Sequence, residues 1–131
     1  MGLISGAALG FVLWVIDEFT HFRLLRLLLD VSFLPLPLPT ASPLVEWTLH
    51  MITSFAVCGL FLVIAGQASG RRRLLLGMVT GAAVSLVYIP LVTVTAEPPP
   101  QTVWAPVLWL VGHLAYGLVL GLLTQPNTQK P

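Results

Sequence analysis

The chain has 131 residues, of which 56 % are apolar and 8 % charged, and its formal net charge is +1. Soluble domains carry about 25 % charged residues, so a soluble globular domain is excluded, and so is a disordered chain, which needs low hydrophobicity and high charge. The six basic residues form no stripe among aromatics, so nucleic-acid binding has no support.

An integral membrane protein is the class that fits. A helix needs about 20 apolar residues to cross a bilayer, and four segments qualify. The first runs from Leu3 to Phe22, and its apolar character permits an extension to Leu29. Met1 to Ile16 has no Lys or Arg at its start and no A-x-A-like cleavage site after it, so it reads as a retained helix rather than a signal peptide. Gly6 and Gly10 stand four apart on this span, the spacing that lets helix backbones approach closely. The span ends in Asp17-Glu18-Phe19-Thr20-His21-Phe22-Arg23, the densest group of ionisable residues in the chain.

Pro35, Pro37, Pro39 and Pro43 then break any helix, because each lacks an N–H and restricts its predecessor. The second span runs from Leu44 to Gly66, with Glu46 and His50 near its start and the weaker small pair Ser54/Cys58 further on. Cys58 is the only cysteine. It excludes an internal disulfide, a CxxC pair or a thiolate metal cage, and it is expected to pack as a small hydrophobe. Ser69-Gly70-Arg71-Arg72-Arg73 reads as the turn to the third span, Leu74 to Ala96. That span carries Gly77/Gly81 and the polar residues Thr80, Ser85 and Tyr88. Pro90 is expected to kink it near Tyr88 and open backbone carbonyls to other partners. Pro98, Pro99 and Pro100 end it, and the fourth span runs from Val103 to Thr124 with His113 near its middle and Gly117/Gly121 beyond.

Basic short loops stay in the cytoplasm. Arg71, Arg72 and Arg73 with Lys130 outnumber Arg23 and Arg26, which puts both termini inside and the two proline-rich loops outside. Asp17, Glu18, Asp30, Glu46 and Glu97 then all lie on the outer side, and Trp14, Trp47, Trp104 and Trp109 form an aromatic belt in the outer half. Turning about 100° per residue puts the polar residues on the glycine faces: Asp17 and His21 within about 60° of Gly6, Ser85 and Tyr88 within about 80° of Gly77, His113 about 40° from Gly117.

Three chemistries follow from these residues. Asp17/His21 and Glu46/His50 are i, i+4 pairs and Glu18/His21 is i, i+3, so each puts carboxylate and imidazole on one helical face. Asp17, Glu18, His21, Glu46 and His50 together are a candidate site for a divalent metal such as Zn, Mn or Fe, or for a proton or ion path. The structural alternative is pairing of Asp17 or Glu18 with Arg23 or His21, and capping of the second span by Glu46. The full di-iron pattern needs two Glu-x-x-His copies on a four-helix bundle, and one is present. His113 needs a partner at mid-bilayer. Ser85, Thr80 and Tyr88 are structural candidates, while haem ligation or a proton relay with His50 are functional ones. Arg71, Arg72 and Arg73 serve as a topology signal and as a site for anionic lipid headgroups. No nucleophile–base motif or phosphate loop is present, so no catalytic residue is assigned and the chain reads as non-enzymatic.

Ser5-Gly6-Ala7-Ala8 is similar to Thr80-Gly81-Ala82-Ala83, and both the second and fourth spans place a Trp before a His. Two helical hairpins related by a parallel repeat are therefore an arrangement the pattern admits. The layout of a Gly6–Gly10 first helix, a proline-rich outer loop and a closing Gly112-His113-x-x-Tyr116-Gly117-x-x-x-Gly121 resembles small uncharacterised four-span inner-membrane proteins of bacteria. The resemblance implies a bacterial cytoplasmic membrane location and brings no activity or site with it. The expected protein is an all-α, four-span bundle in the lipid bilayer. It acts as a structural subunit or as a small transporter or channel protomer, and a complete path through four short spans requires a homo-oligomer. The alternatives are a metal- or haem-binding membrane protein of redox or hydrolytic activity and a lipid- or partner-binding module.

Overall fold

A computed structural model describes residues 1–35 and 42–126. Pro37, Pro39 and Lys130, used above for loop and topology, lie outside the described residues. Every regular element among the described residues is an α-helix, in the order α1 (Gly2–Thr20), α2 (Leu24–Leu29), α3 (Pro43–Ala65), α4 (Gly70–Ser85), α5 (Tyr88–Val94) and α6 (Trp104–Leu123). Four stretches are long and apolar enough to cross a membrane: α1, α3, α4 with α5, and α6. Their outward residues, among them Phe11, Phe55, Leu60, Val63, Ile64, Val79 and Leu122, are exposed apolar side chains of the kind lipid covers.

The first span stops at Thr20, and Leu24–Leu29 is a separate short helix. The break is made by His21 and Arg23, both left-handed at φ 57° and 59°. Residues with a Cβ enter that region at a cost on the order of 1–2 kcal/mol. Asp17 offsets it. Its Oδ1 and Oδ2 accept the Leu24 and Leu25 N–H groups at 2.8 Å each, satisfying two orphan donors at the start of α2. The chain then turns so that Leu24 and Leu27 are fully buried.

Pro43 opens α3 at its first turn, where a missing N–H costs nothing. The three arginines belong to the first turn of α4 and not to the connecting turn, which is confined to residues 66–69. The third span is interrupted at Leu86 and Val87. There the Leu86, Val87 and Ile89 N–H groups reach back three residues instead of four. Pro90, lacking an N–H, lies just beyond and cannot continue the ladder. Ile89 donates to Leu86 and leaves the Ser85 carbonyl without its helical partner.

In space the long helices stand in the row α3, α1, α6, α4. The closest pair is α4 with α6. A Cβ built on Gly77 or Gly81 would overlap the carbonyl oxygen of Gly117 or His113, and one on Gly117 would overlap that of Gly77. Only glycine lets the two backbones lie this close. On the other side Gly6 faces Ser54, and Gly10 faces the Trp47 ring. The row does not close into a symmetrical bundle, since α3 and α4 touch little beyond their short turn.

Candidate functional site

The gap between α3 and α4/α5 holds a cavity of about 290 Å³, roofed by residues of the 28–34 segment. Its mouth is apolar, with Ile52 and Val87 exposed and Val57, Val84 and Leu91 half-buried. Its floor is polar. Ser54, His50, Trp109, His113 and Tyr116 line it, and Glu46 and Asp30 lie at the roofed end.

Each floor residue is held by a specific contact. The Trp109 indole N–H donates to the Ser85 carbonyl at 3.0 Å, the group freed by the helix break. Trp109 is thereby 1 % exposed and does not belong to the aromatic belt with exposed Trp14 and Trp104. Its ring packs on His113 at 4.5 Å between centroids and on Tyr88 at 5.7 Å. His113, 1 % exposed, bonds through Nδ1 to the Trp109 carbonyl at 2.9 Å. His50 bonds through Nε2 to the Gly6 carbonyl at 3.0 Å. The Ser54 hydroxyl donates to the Gly2 carbonyl at 2.8 Å, and the Ser5 hydroxyl donates to Met1 and Gly2 carbonyls. The Tyr116 hydroxyl, on a side chain 2 % exposed, is itself buried and lies against the Ser5 and Ser54 hydroxyls.

The five residues read as one metal or proton site fall into two places. Glu46 and His50 line the cavity. Asp17, Glu18 and His21 line a separate shallow depression with Arg23 and Arg26. Asp17 is occupied as the α2 cap, and His21 is displaced from its i, i+4 position because it leaves the helix. Glu46, 5 % exposed, accepts from Arg26 at 2.8 Å. Among the described residues no three His, Cys, Asp or Glu side chains group so as to hold a metal ion. The mid-span group does come together, since His113, Tyr88 and Ser85 all meet Trp109. The bond to His113 comes from its own helix, and the Ser85 and Thr80 hydroxyls donate to carbonyls in theirs.

The acidic end is laced together by surface pairs. Arg23 meets Glu97 at 3.2 Å with both side chains more than half exposed, a pair that contributes little in water. The Thr95 hydroxyl donates to Asp30. Burial pushes the Asp30 carboxyl up, but the hydrogen bonds from Thr95 and Ser32 and the Arg26 charge outweigh it and hold Asp30 below the usual carboxylate value.

At the opposite end Arg73 departs from Arg71 and Arg72. Those two are exposed, as headgroup contact requires, whereas Arg73 is 2 % exposed. Its Nε donates to Thr124, one terminal nitrogen donates to the Gly66 and Ala68 carbonyls, and its guanidinium lies 5.4 Å from the Phe61 ring centre. A cation at the C-terminal end of α3 also meets the negative end of that helix dipole. This third arginine is a structural tie and not a headgroup ligand.

Sequence reasoning did not single out Trp109, Tyr116, Arg26 or Asp30. Tyr116 carried a usable signal. It lies four residues beyond Gly112, on the face of α6 that meets Leu9 and Leu13 of α1.

The chain belongs to a family of unknown function (DUF6789), whose model matches residues 1–131. No curated protein and no solved structure matches it.

Proposed function

We propose that this member of the DUF6789 family is a non-enzymatic, multi-pass membrane protein that binds a small lipid-soluble molecule in the cavity between α3 and α4/α5. The observation that carries the reading is the cavity itself, about 290 Å³ with a mouth formed by Ile52, Val57, Val84, Val87 and Leu91. A cavity of about 150 Å³ lined by apolar groups already holds benzene, so about 290 Å³ accommodates a substituted ring or a short chain.

The arginine end favours a binding protein over a through-pore. Arg73, Thr124 and Phe61 fill it, and the glycine contact joins α4 to α6. Arg71 and Arg72 support an orientation with that end in the cytoplasm, where short basic loops reside. In that orientation, in a bacterial cytoplasmic membrane, the cavity opens sideways into the bilayer toward its outer half. Transport by such a chain would require further copies to complete the path.

The test is thermal unfolding of the purified protein in detergent with bromobenzene as probe. A ligand that binds the folded state alone raises the unfolding temperature in a saturable way. The expected result is such a rise in the native chain and its loss in Val57→Phe, which fills the cavity and still unfolds cooperatively. An equal rise in both, or none in the native chain, would overturn the reading.

A further inference from the structure

A second concave region lies along α1, and none of its residues lines the cavity, so it is independent of the binding reading above. It has two parts that continue one another. The shallow depression at the end of α1 is charged, with Glu18, His21, Arg23 and Arg26 all exposed in it. Toward the middle of α1 follows an apolar groove lined by Ala7, Gly10, Phe11, Trp14, Leu25 and Trp47. Leu25 borders both parts. On α1, Ala7, Gly10, Phe11, Trp14, Asp17 and Glu18 recur at steps of three and four, which keeps them on one helix face. Gly10 gives the groove its depth: the Trp47 ring lies over it, 2.6 Å from where a Cβ would stand. From Ala7 to Glu18 the helix rises about 16 Å at 1.5 Å per residue, and one leaflet contributes about 15 Å of hydrocarbon.

A charged depression at the head of an apolar groove one leaflet deep has the shape of a phospholipid, and the charges choose its headgroup. Asp17 is taken up as the cap of α2. Arg23 and Arg26 each give one terminal nitrogen to a carboxylate, Glu97 and Glu46. A guanidinium carries five N–H donors, so both keep donors that suit a phosphate. Glu18 has no ion-pair or hydrogen-bond partner among the described residues. The depression therefore offers two cations and a free anion. A headgroup with a phosphate alone would answer the arginines and bring like charge toward Glu18. A phosphate joined to an ammonium answers both. A primary ammonium donates three hydrogen bonds, whereas a trimethylammonium has none to give a carboxylate. We propose that the groove and depression of α1 hold a phospholipid with a phosphoethanolamine headgroup, its phosphate on Arg23 and Arg26, its ammonium on Glu18, and an acyl chain along Trp14, Phe11 and Gly10. In the orientation given above this is a lipid of the outer leaflet.

Trp14 and Trp47 line the groove, so brominated acyl chains read its occupancy, because bromine quenches a nearby indole. The full chain carrying Trp104→Phe, which removes an exposed indole outside the groove, is reconstituted in phosphatidylcholine bilayers. A fixed fraction of the lipid is then replaced by phosphatidylethanolamine, phosphatidylcholine or phosphatidylglycerol with brominated chains. The expected result is stronger quenching by phosphatidylethanolamine than by either of the others, a preference on the order of two- to fivefold, the scale of one exposed ion pair. In Glu18→Gln the ethanolamine lipid should fall to the level of the choline lipid. Quenching by the choline lipid should stay unchanged, which shows that the groove is intact. Equal quenching by the ethanolamine and choline lipids in the Glu18 chain would overturn the proposal, and so would a preference that survives Glu18→Gln. Quenching by phosphatidylglycerol equal to or above that by phosphatidylethanolamine would assign an anionic headgroup and overturn it as well.

Discussion

The α1/α3 and α4/α6 pairs use the same small-residue spacing and reach different results. In α4/α6, Gly77 and Gly81 face Gly117 and the carbonyl of His113, so backbone meets backbone. In α1/α3, Gly6 and Gly10 face Ser54 and Trp47, so backbone meets side chain: an added Cβ would lie 2.7 Å from the Ser54 oxygen and 2.6 Å from the Trp47 ring. Glycines four apart on one helix therefore do not define an interface by themselves. The facing helix decides, and α6 offers glycines where α3 offers a serine and a tryptophan. The consequence is functional. The pair joined by glycine is a close-packed wall, and the cavity lies where α3 stands away from that wall.

The largest expected effect comes from breaking the wall. Gly77→Ala forces a methyl against the Gly117 carbonyl, which yields only if the helices separate, and should cost about 1–3 kcal/mol as overpacking does. Gly59→Ala on α3 has open space around it and should stabilise by about 0.5–1 kcal/mol. Unfolding of both variants in mild detergent, titrated with a denaturing detergent, measures the contrast. If the two variants shift stability alike, the glycine wall is not what the comparison says.

Arg73→Ala should come next. It leaves the Gly66 and Ala68 carbonyls and Thr124 without their donor, at a cost of about 1–3 kcal/mol, measurable by the same unfolding assay. Arg72→Ala, an exposed neighbour, should change stability little, and Arg73→Lys should recover only part of the loss because one ammonium cannot span three acceptors.

At the acidic end the contacts are fewer and the effects smaller. Asp17→Ala removes the acceptor of two N–H groups and should cost about 1 kcal/mol, as loss of a helix cap does. Hydrogen exchange should locate the change in residues 21–29, with α4 and α6 unaffected. The smallest effect is on pH. Asp30 has its folded value depressed below the ordinary 3.8, so its contribution is fully present above that value and is lost as pH falls through the lower, folded one. Hydrogen exchange of the 28–34 segment should be constant from pH 7 to about 4, once corrected for intrinsic rates, and should quicken only in stronger acid. Asp30→Asn should remove that acid dependence.

Much of this architecture was readable from the residues. Hydropathy located all four spans, and Pro90 marked the interruption of the third near Tyr88. The freed Ser85 carbonyl was expected in kind, though not its capture by Trp109. What hydropathy does not encode is side-chain direction. Arg73 differs from Arg71 and Arg72 only by its angle on α4, which turns it toward α3 and α6. The end of α1 was hidden for a different reason. His21 and Arg23 take a left-handed backbone that glycine or asparagine would advertise, and an aspartate several residues earlier stabilises it. Asp17 and Glu46 looked alike in spacing to histidine, yet one caps a helix and the other pairs with Arg26 beside the cavity. The cavity depends on the row α3, α1, α6, α4, which is a tertiary fact with no local signature.

The most direct measurement is a crystal structure of the protein grown in a lipid mesophase and soaked with bromobenzene, read by the anomalous signal of bromine. The account predicts a bromine peak between α3 and α4/α5, against Trp109 and within reach of Val57 and Val84. A structure in which α3 packs along the whole of α4, or one with the cavity present and no bromine in it, would contradict the account.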